Sequence, residues 1–241
     1  MSLKEDFAAQ GMTAGNHFAV AMGARSTAQA SMEVHVYPDG EFYCERGLMR
    51  GRNTRIDMST RIGDQGSWLS RVTLGLIRRK FAGEDALVAQ FNNKSGAVAA
   101  VEVTPESYSG LAAINLEEIE GHTLHCRRGS WVLSGPDNSA SFEFFRNAFS
   151  PSSWTGLKPF AMEKITGQDI VVIGSQNSGL RVIDLPAGES YIADRQDLLG
   201  YTRKPSVGVT SWNPSILFSK ERFLNPTFDG PCKLVLRTQP S

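Results

Sequence analysis

The chain is poor in the residues that usually declare a chemistry. Its three cysteines, Cys44, Cys126 and Cys232, are scattered over 241 residues. They are too few and too dispersed for a disulfide framework, so a reducing compartment is the default expectation. There are four histidines and no His-Glu-x-x-His pair. Neither a Gly-x-Ser-x-Gly elbow nor a Gly-x-x-x-x-Gly-Lys-Ser/Thr phosphate loop occurs. Long apolar runs are missing: nothing approaches the ~18 residues of a membrane-spanning helix. Residues 1–10 carry Lys4, Glu5 and Asp6 and lack the apolar stretch of a secretory signal. An excess of one charge is missing as well. The 25 basic residues balance 25 acidic ones, which argues against a domain made for generic nucleic acid, usually strongly basic.

Helix signals are equally scarce. Residues 68–77 have partial 3.6-residue spacing but contain Gly75 and β-branched residues, and read as an ordered connection or short helix. Residues 147–160 hold two prolines, Trp154 and Gly156, and read as a loop. Residues 1–30 read as loose apart from a possible first strand at Phe18-Ala19-Val20-Ala21-Met22.

What the chain does have is a pair of turn patterns that alternate three times. A glycine in a polar turn precedes a short strand-like run at Pro38-Asp39-Gly40-Glu41-Phe42-Tyr43, Glu120-Gly121-His122-Thr123-Leu124 and Ala187-Gly188-Glu189-Ser190-Tyr191-Ile192. A second turn precedes an apolar run at Phe81-Ala82-Gly83-Glu84, Ile165-Thr166-Gly167-Gln168 and Phe228-Asp229-Gly230-Pro231. The gaps between paired glycines are 43, 46 and 42 residues. Steady spacing of this kind marks repeated supersecondary units. Short alternating segments such as Met32-Glu33-Val34-His35-Val36-Tyr37, closed by Pro-Asp-Gly, are strands entering turns. The expected fold is therefore all-β, in three tandem units: an extension at 1–30, then 31–110, 111–180 and 181–241. Such units leave open strand edges, and closure with other chains into a ring removes them. A cyclic homo-oligomer is expected.

The runs Arg79-Lys80-Phe81-Ala82-Gly83-Glu84, Leu185-Pro186-Ala187-Gly188-Glu189-Ser190-Tyr191-Ile192-Ala193-Asp194 and Phe228-Asp229-Gly230-Pro231, with Leu236-Arg237-Thr238-Gln239-Pro240, resemble the family of altered inheritance of mitochondria protein 24. The resemblance covers roughly residues 30–240 and lies in the order and spacing of turns and strands. It implies units similar to the tryptophan RNA-binding attenuation protein, a small β-sandwich or short double-stranded β-helix. It further implies three units fused in a chain and three chains in a ring. The family has no catalytic motif, so no residue inherits a catalytic, cofactor or metal role. The fungal member's link to inner-membrane organisation and its lipids implies a possible membrane setting. Without a visible mitochondrial presequence, a bacterial cytoplasmic protein, membrane-peripheral at most, is expected.

Four residue groups carry candidate chemistry. His122, His125 and Cys126 are metal-ligand types, but on a strand the two histidines face opposite sides and the set is incomplete. Cys44 and Cys126 sit at matching places beside arginines, and a lowered thiol pKa would make them reactive. The third copy has Ala193 there, which fits a small core slot instead. Adjacent Glu117 and Glu118 would face opposite ways on a strand and make no acid–base pair. The best functional signal is basic. Residues 46–80 carry nine positive and two negative charges, with Arg50, Arg52, Arg55, Arg61, Arg71, Arg78, Arg79 and Lys80 as candidate contacts to RNA or anionic lipid phosphates. Trp68 would stack on a base or anchor at a headgroup. Opposed to that, the arginines would pair with Glu102, Glu106, Glu117, Glu118 and Glu120. The expected role is a non-enzymatic scaffold or binding protein that partners itself as a homotrimer. An anion-binding surface and small-molecule pockets between units are the alternatives.

Overall fold

The computed structural model describes residues 2–23, 30–61, 88–105, 108–144, 161–194, 196–206 and 226–238. The expected helix or connection at 68–77 and the loop at 147–160 lie outside them. The chain opens with a seven-residue helix, α1 (Leu3–Ala9), and a hairpin of β1 (Thr13–Ala14) and β2 (Phe18–Met22). The strand at 18–22 is as expected; the helix is not. Ser2 caps it, accepting from Glu5 N while Glu5 accepts from Ser2 N. That Ser-x-x-Glu capping box is written in the sequence.

Strands follow in three sets. The first is β3 (Met32–Val36), β4 (Glu41–Glu45), β5 (Met49–Arg52), β6 (Ile56–Arg61), β7 (Val88–Asn93) and β8 (Ala99–Val103). The second is β9 (Gly110–Asn115), β10 (Thr123–Arg127), β11 (Trp131–Ser134), β12 (Ser139–Phe144), β13 (Ala161–Thr166) and β14 (Ile170–Ser175). The third is β15 (Gly179–Leu185), β16 (Ser190–Ile192), β17 (Leu198–Tyr201), β18 (Thr227–Asp229) and β19 (Cys232–Thr238). The protein is all-β apart from α1 and one 3-10 turn at Leu116–Glu118, and every strand pairing among the described residues is antiparallel.

One pairing scheme occurs three times. The first strand of each set pairs with the last: β3 with β8, β9 with β14, β15 with β19. The second pairs with the fifth in the first two sets, β4 with β7 and β10 with β13, and with the fourth of five in the third, β16 with β18. The third also pairs with the last, each time with a one-residue bulge, between Met49 and Gly51, Trp131 and Leu133, and Leu198 and Gly200. The fourth flanks the fifth: β6 on β7, β12 on β13, and in the third set the single bridge Ser206 to Thr227.

The turns that open each second strand obey one geometry. Gly40 N donates to Tyr37 O, His122 N to Ile119 O and Glu189 N to Pro186 O. The third residue of each turn is left-handed: Asp39 at φ 56°, Gly121 at 77° and Gly188 at 86°. A turn of this type needs positive φ there. The matching residue in the first set is thus Asp39, not Gly40 as the glycine pattern suggests. The closing marker shifts too. Gly167 N donates to His122 O and Gly230 N to Glu189 O, whereas Asn93 N donates to Gly40 O. Asn93 therefore occupies the place that the glycine spacing gave to Gly83, which lies outside the described residues. The cause is length: 26 residues separate β6 from β7, against 16 between β12 and β13.

The sets join through their sheets. β4 pairs with β11, Cys44 opposite Leu133 and Tyr43 opposite Ser134. β10 pairs with β17, Cys126 opposite Gly200 and His125 opposite Tyr201. Two six-stranded sheets result, β6-β7-β4-β11-β14-β9 and β12-β13-β10-β17-β19-β15. The cores cross the same seams. Phe18, Phe42 and Phe91 pack in one cluster with Val132, Ile170 and Val172 of the second set. Tyr43 and Val88 share another with Leu124, Ile173, Leu199 and Val235. The two large clusters each draw on more than one set of strands, and burial of apolar surface is the dominant favourable contribution to folding.

Candidate functional site

The two ends of the chain carry what the seams leave over. One is a sheet β1-β2-β3-β8-β5, the other the pair β16-β18. Among the described residues, β5 pairs only with β8 and β16 only with β18. Their equivalents β11 and β17, and β4 and β10, are paired on both sides. Register makes Tyr43, His125 and Ile192 equivalent. Tyr43 and His125 are 5% and 3% exposed, while Ile192 is 52% exposed. The ring of His125 stacks on Tyr201 across its seam, centroids 4.8 Å apart; Ile192 has no such neighbour strand among the described residues.

The basic stretch is described only in part. Arg46, Arg50, Arg52 and Arg55 are exposed, on β5 and the turns beside it. The Arg52 guanidinium donates to Ile56 O across the following turn. β6 continues the exposed surface, with Asp57 paired to Lys94 at 3.0 Å. The backbone of Arg61 ends β6. Trp68, Arg71, Arg78, Arg79 and Lys80 lie outside the described residues. Of the proposed acidic partners, Glu117 is engaged by Lys4 of α1. Glu117 and Glu118 lie not on a strand but in the 3-10 turn capped by Asn115, whose Oδ1 accepts from Glu117 N at 3.1 Å.

A cavity of about 570 Å³ opens where the second and third sets meet. Glu118, Glu120 and Asp184 line it with Arg203 and Lys233, around Ile119, Leu185 and Pro231. Lys233 pairs with Asp184 on its wall. Mixed charge over an apolar floor suits a small polar molecule carrying both signs.

A fourth arrangement was not anticipated. Three turns far apart in sequence, Gly15-Asn16-His17, Gly135-Pro136-Asp137 and Gly167-Gln168-Asp169, meet against the second set. One ligand atom from each of His17, Asp137 and Asp169 lies within 4.8 Å of the others. His17 Nε2 is 3.1 Å from Asp137 Oδ2. Asp169 is fully buried. Its Oδ1 accepts from Ile170 N at 2.8 Å and Asn16 N at 3.2 Å, whereas Oδ2 has no hydrogen-bond partner. Burial pushes the Asp169 carboxyl up to about 6, opposed by the Ile170 N–H and by His17. Tyr37, whose hydroxyl is also buried and unpartnered, is pushed up to about 12 by burial and by the charge of Asp169. The glycines are required: a Cβ on Gly15 would lie 2.0 Å from Asp169 Oδ1, and one on Gly135 1.9 Å from Oδ2. The sequence signal is a thrice-written Gly-x-(His/Asp) turn, too short to stand out without the fold.

The family model for mitochondrial biogenesis AIM24 matches residues 24–239. The chain belongs to that family. A structure of protein SPYM3_0169 from Streptococcus pyogenes is similar over 91% of this chain and 93% of its own, at 14% identity and a TM-score of 0.55. Identity that low shows a shared fold and nothing of function. No curated protein matches the chain. AIM24 is not a known enzyme family.

Within this AIM24 fold the cysteine and histidine candidates resolve plainly. Cys44 and Cys126 are the fourth residues of β4 and β10 and are buried, and Ala193 fills the same slot after β16. Burial pushes the Cys44 thiol up, the opposite of an activated thiolate. The core-slot reading fits all three positions. His122 is not on a strand: it sits in the turn at φ 46°, with Nδ1 3.0 Å from Leu116 O. His125 is buried in the seam. The structure does not gather His122, His125 and Cys126 into a ligand set.

Proposed function

We propose that this AIM24 protein is a non-enzymatic scaffold or binding protein made of three copies of one β unit, and that three chains join head to tail in a ring. One observation carries the reading. The two unfinished sheets are complementary halves of the sheet that occurs twice whole inside the chain. A complete sheet holds the fourth, fifth and second strands of one unit beside the third, last and first of the next. The C-terminal end offers the former as Ser206, β18 and β16, and the N-terminal end the latter as β5, β8 and β3. Carrying over the seam register sets Ala193 opposite Gly51 and Ile192 opposite Arg52 of the next chain. Open edges are a hazard that closure removes, and a head-to-tail contact that closes makes a ring.

Light scattering on a sizing column tests this. The expected mass is three times the 26.3 kDa of the chain. Ile192→Arg, which puts two like charges opposite each other, should yield a monomer with unchanged circular dichroism. A monomeric wild type at all concentrations, or a trimeric variant, overturns the ring.

A second reading rests on the exposed Arg46, Arg50, Arg52 and Arg55: a surface for an anionic partner, RNA or anionic lipid, with Trp68 and the remaining cations of residues 46–80 as further contacts. Binding to such a partner should fall steeply with salt and weaken on reversing Arg46 and Arg55, with the mass unchanged. Undetectable binding at low salt ends that reading. The cavity between the second and third sets supports small-molecule binding in the same way. No helix among the described residues is long and apolar enough to cross a membrane. The expected setting is the bacterial cytoplasm, at a membrane surface if lipid is the partner.

A further inference from the structure

The cluster at the three Gly-x-(His/Asp) turns has no role in the ring. His17 comes from the β1–β2 hairpin, Asp137 from the β11–β12 turn and Asp169 from the β13–β14 turn. Their convergence sets two carboxylates and one imidazole around a common point. The arrangement is held from outside by hydrogen bonds. Asn16 Nδ2 donates to Gln168 O at 3.0 Å, Asn138 Nδ2 to Ile170 O at 3.0 Å and Asn115 Nδ2 to Ala14 O at 2.9 Å. Asp169 N donates to Asn138 Oδ1 at 3.2 Å. The turns are therefore tied together by asparagine side chains and by the Asp169 carboxylate, which accepts from Asn16 N.

Asp169 Oδ2 is the telling atom. A carboxylate oxygen out of water and without a donor carries a large desolvation cost. Its second oxygen is satisfied by two backbone N–H groups, so the side chain is aimed rather than stranded. Glycine backbones at 15 and 135 press against both oxygens, where any Cβ would collide. A ligand atom of that carboxylate lies within 4.8 Å of those of His17 and Asp137. His17 and Asp137 are partly exposed, with side chains 30% and 50% accessible. This gives an entry path and room for water to complete a coordination shell.

We propose that His17, Asp137 and Asp169 form a binding site for one divalent transition-metal ion. One imidazole nitrogen with two carboxylate oxygens suits zinc, manganese or ferrous iron. Calcium and magnesium, which take oxygen ligands, fit it less well. The ion neutralises two adjacent carboxylates and satisfies Oδ2. It also ties the N-terminal hairpin to the second unit, because His17 is the ligand contributed from outside that unit. Its place is structural: three protein ligands from three turns act as a staple, as metal binding adds to folding stability when the site exists only in the folded state.

The full-length protein, stripped with chelator and dialysed, is titrated with MnCl2 alone and with ZnCl2 alone. Calorimetry and melting temperature are followed, with Mn2+ electron paramagnetic resonance as the direct readout. The expected result is one equivalent per chain and a rise in melting temperature. His17→Ala and Asp137→Asn should each weaken affinity by about tenfold or more, and Asp57→Asn, a surface carboxylate elsewhere, should change nothing. Asp169→Asn should abolish binding; since it is buried and could disturb folding, the two exposed ligands carry the test. Absence of saturable binding up to about 1 mM of either ion overturns the site. So does wild-type affinity in both His17→Ala and Asp137→Asn, which would leave His17 and Asp137 as an ordinary ion pair.

Discussion

His125 and Ile192 hold the same place in two consecutive sets of strands, third residue of the strand that follows a left-handed turn. One is sealed in a seam against Tyr201; the other is more than half exposed. Neither its strand nor its turn distinguishes Ile192 from His125. The difference is the neighbour: β10 has β17 beside it, and β16 has no further strand among the described residues. The internal seams show what the ends would look like if occupied. At this position burial belongs to the contact between sets of strands, and the last set displays an apolar residue where the sets before it hide theirs.

The comparison can be broken most sharply at an internal seam. Leu133 is fully buried opposite Cys44. Leu133→Ala should cost about 2–5 kcal/mol in urea unfolding, and a loss below about 1 kcal/mol would mean that the seam is not where stability resides. At the free end Ile192→Ala should change the stability of an isolated chain by no more than about 0.5 kcal/mol while lowering the fraction of trimer on dilution. An equal loss at both positions would erase the contrast. The smallest effects belong to the turns. Gly188 is left-handed with nothing within 4 Å of a Cβ built on it, so Gly188→Ala should cost about 1 kcal/mol from backbone conformation alone. Asp39→Gly, at the equivalent place, should stay within about 0.5 kcal/mol.

Much of the fold was legible because it is local. Alternating residues in 32–36 and glycines followed by short apolar runs report pleat and turn directly. Cys44, Cys126 and Ala193 could be matched as one core slot from position alone. The glycine pattern failed in the first set of strands. There the left-handed position is held by Asp39, a residue type that tolerates it without being glycine, and the closing hydrogen bond to Gly40 O is made by Asn93. The helix at Leu3–Ala9 was missed though its capping box is plain. Strand alternation also misplaced His122, Glu117 and Glu118, which belong to a turn and a 3-10 segment. The metal cluster was not legible. Residues 15–17, 135–137 and 167–169 meet only because β1–β2 docks on the second unit, and nothing in their spacing encodes that meeting.

The sequence by itself determined the all-β class, the turn chemistry, the absence of recognisable catalytic motifs and the family to which the chain belongs. These follow from short-range rules: which residues turn, which alternate, which motifs are missing. Only the tertiary structure decided which strands pair, where the unfinished edges lie, and that His17, Asp137 and Asp169 share one point in space. Those depend on contacts between residues tens of positions apart or, at the cluster, more than a hundred, whose free energy comes from burial and pairing that no local pattern records.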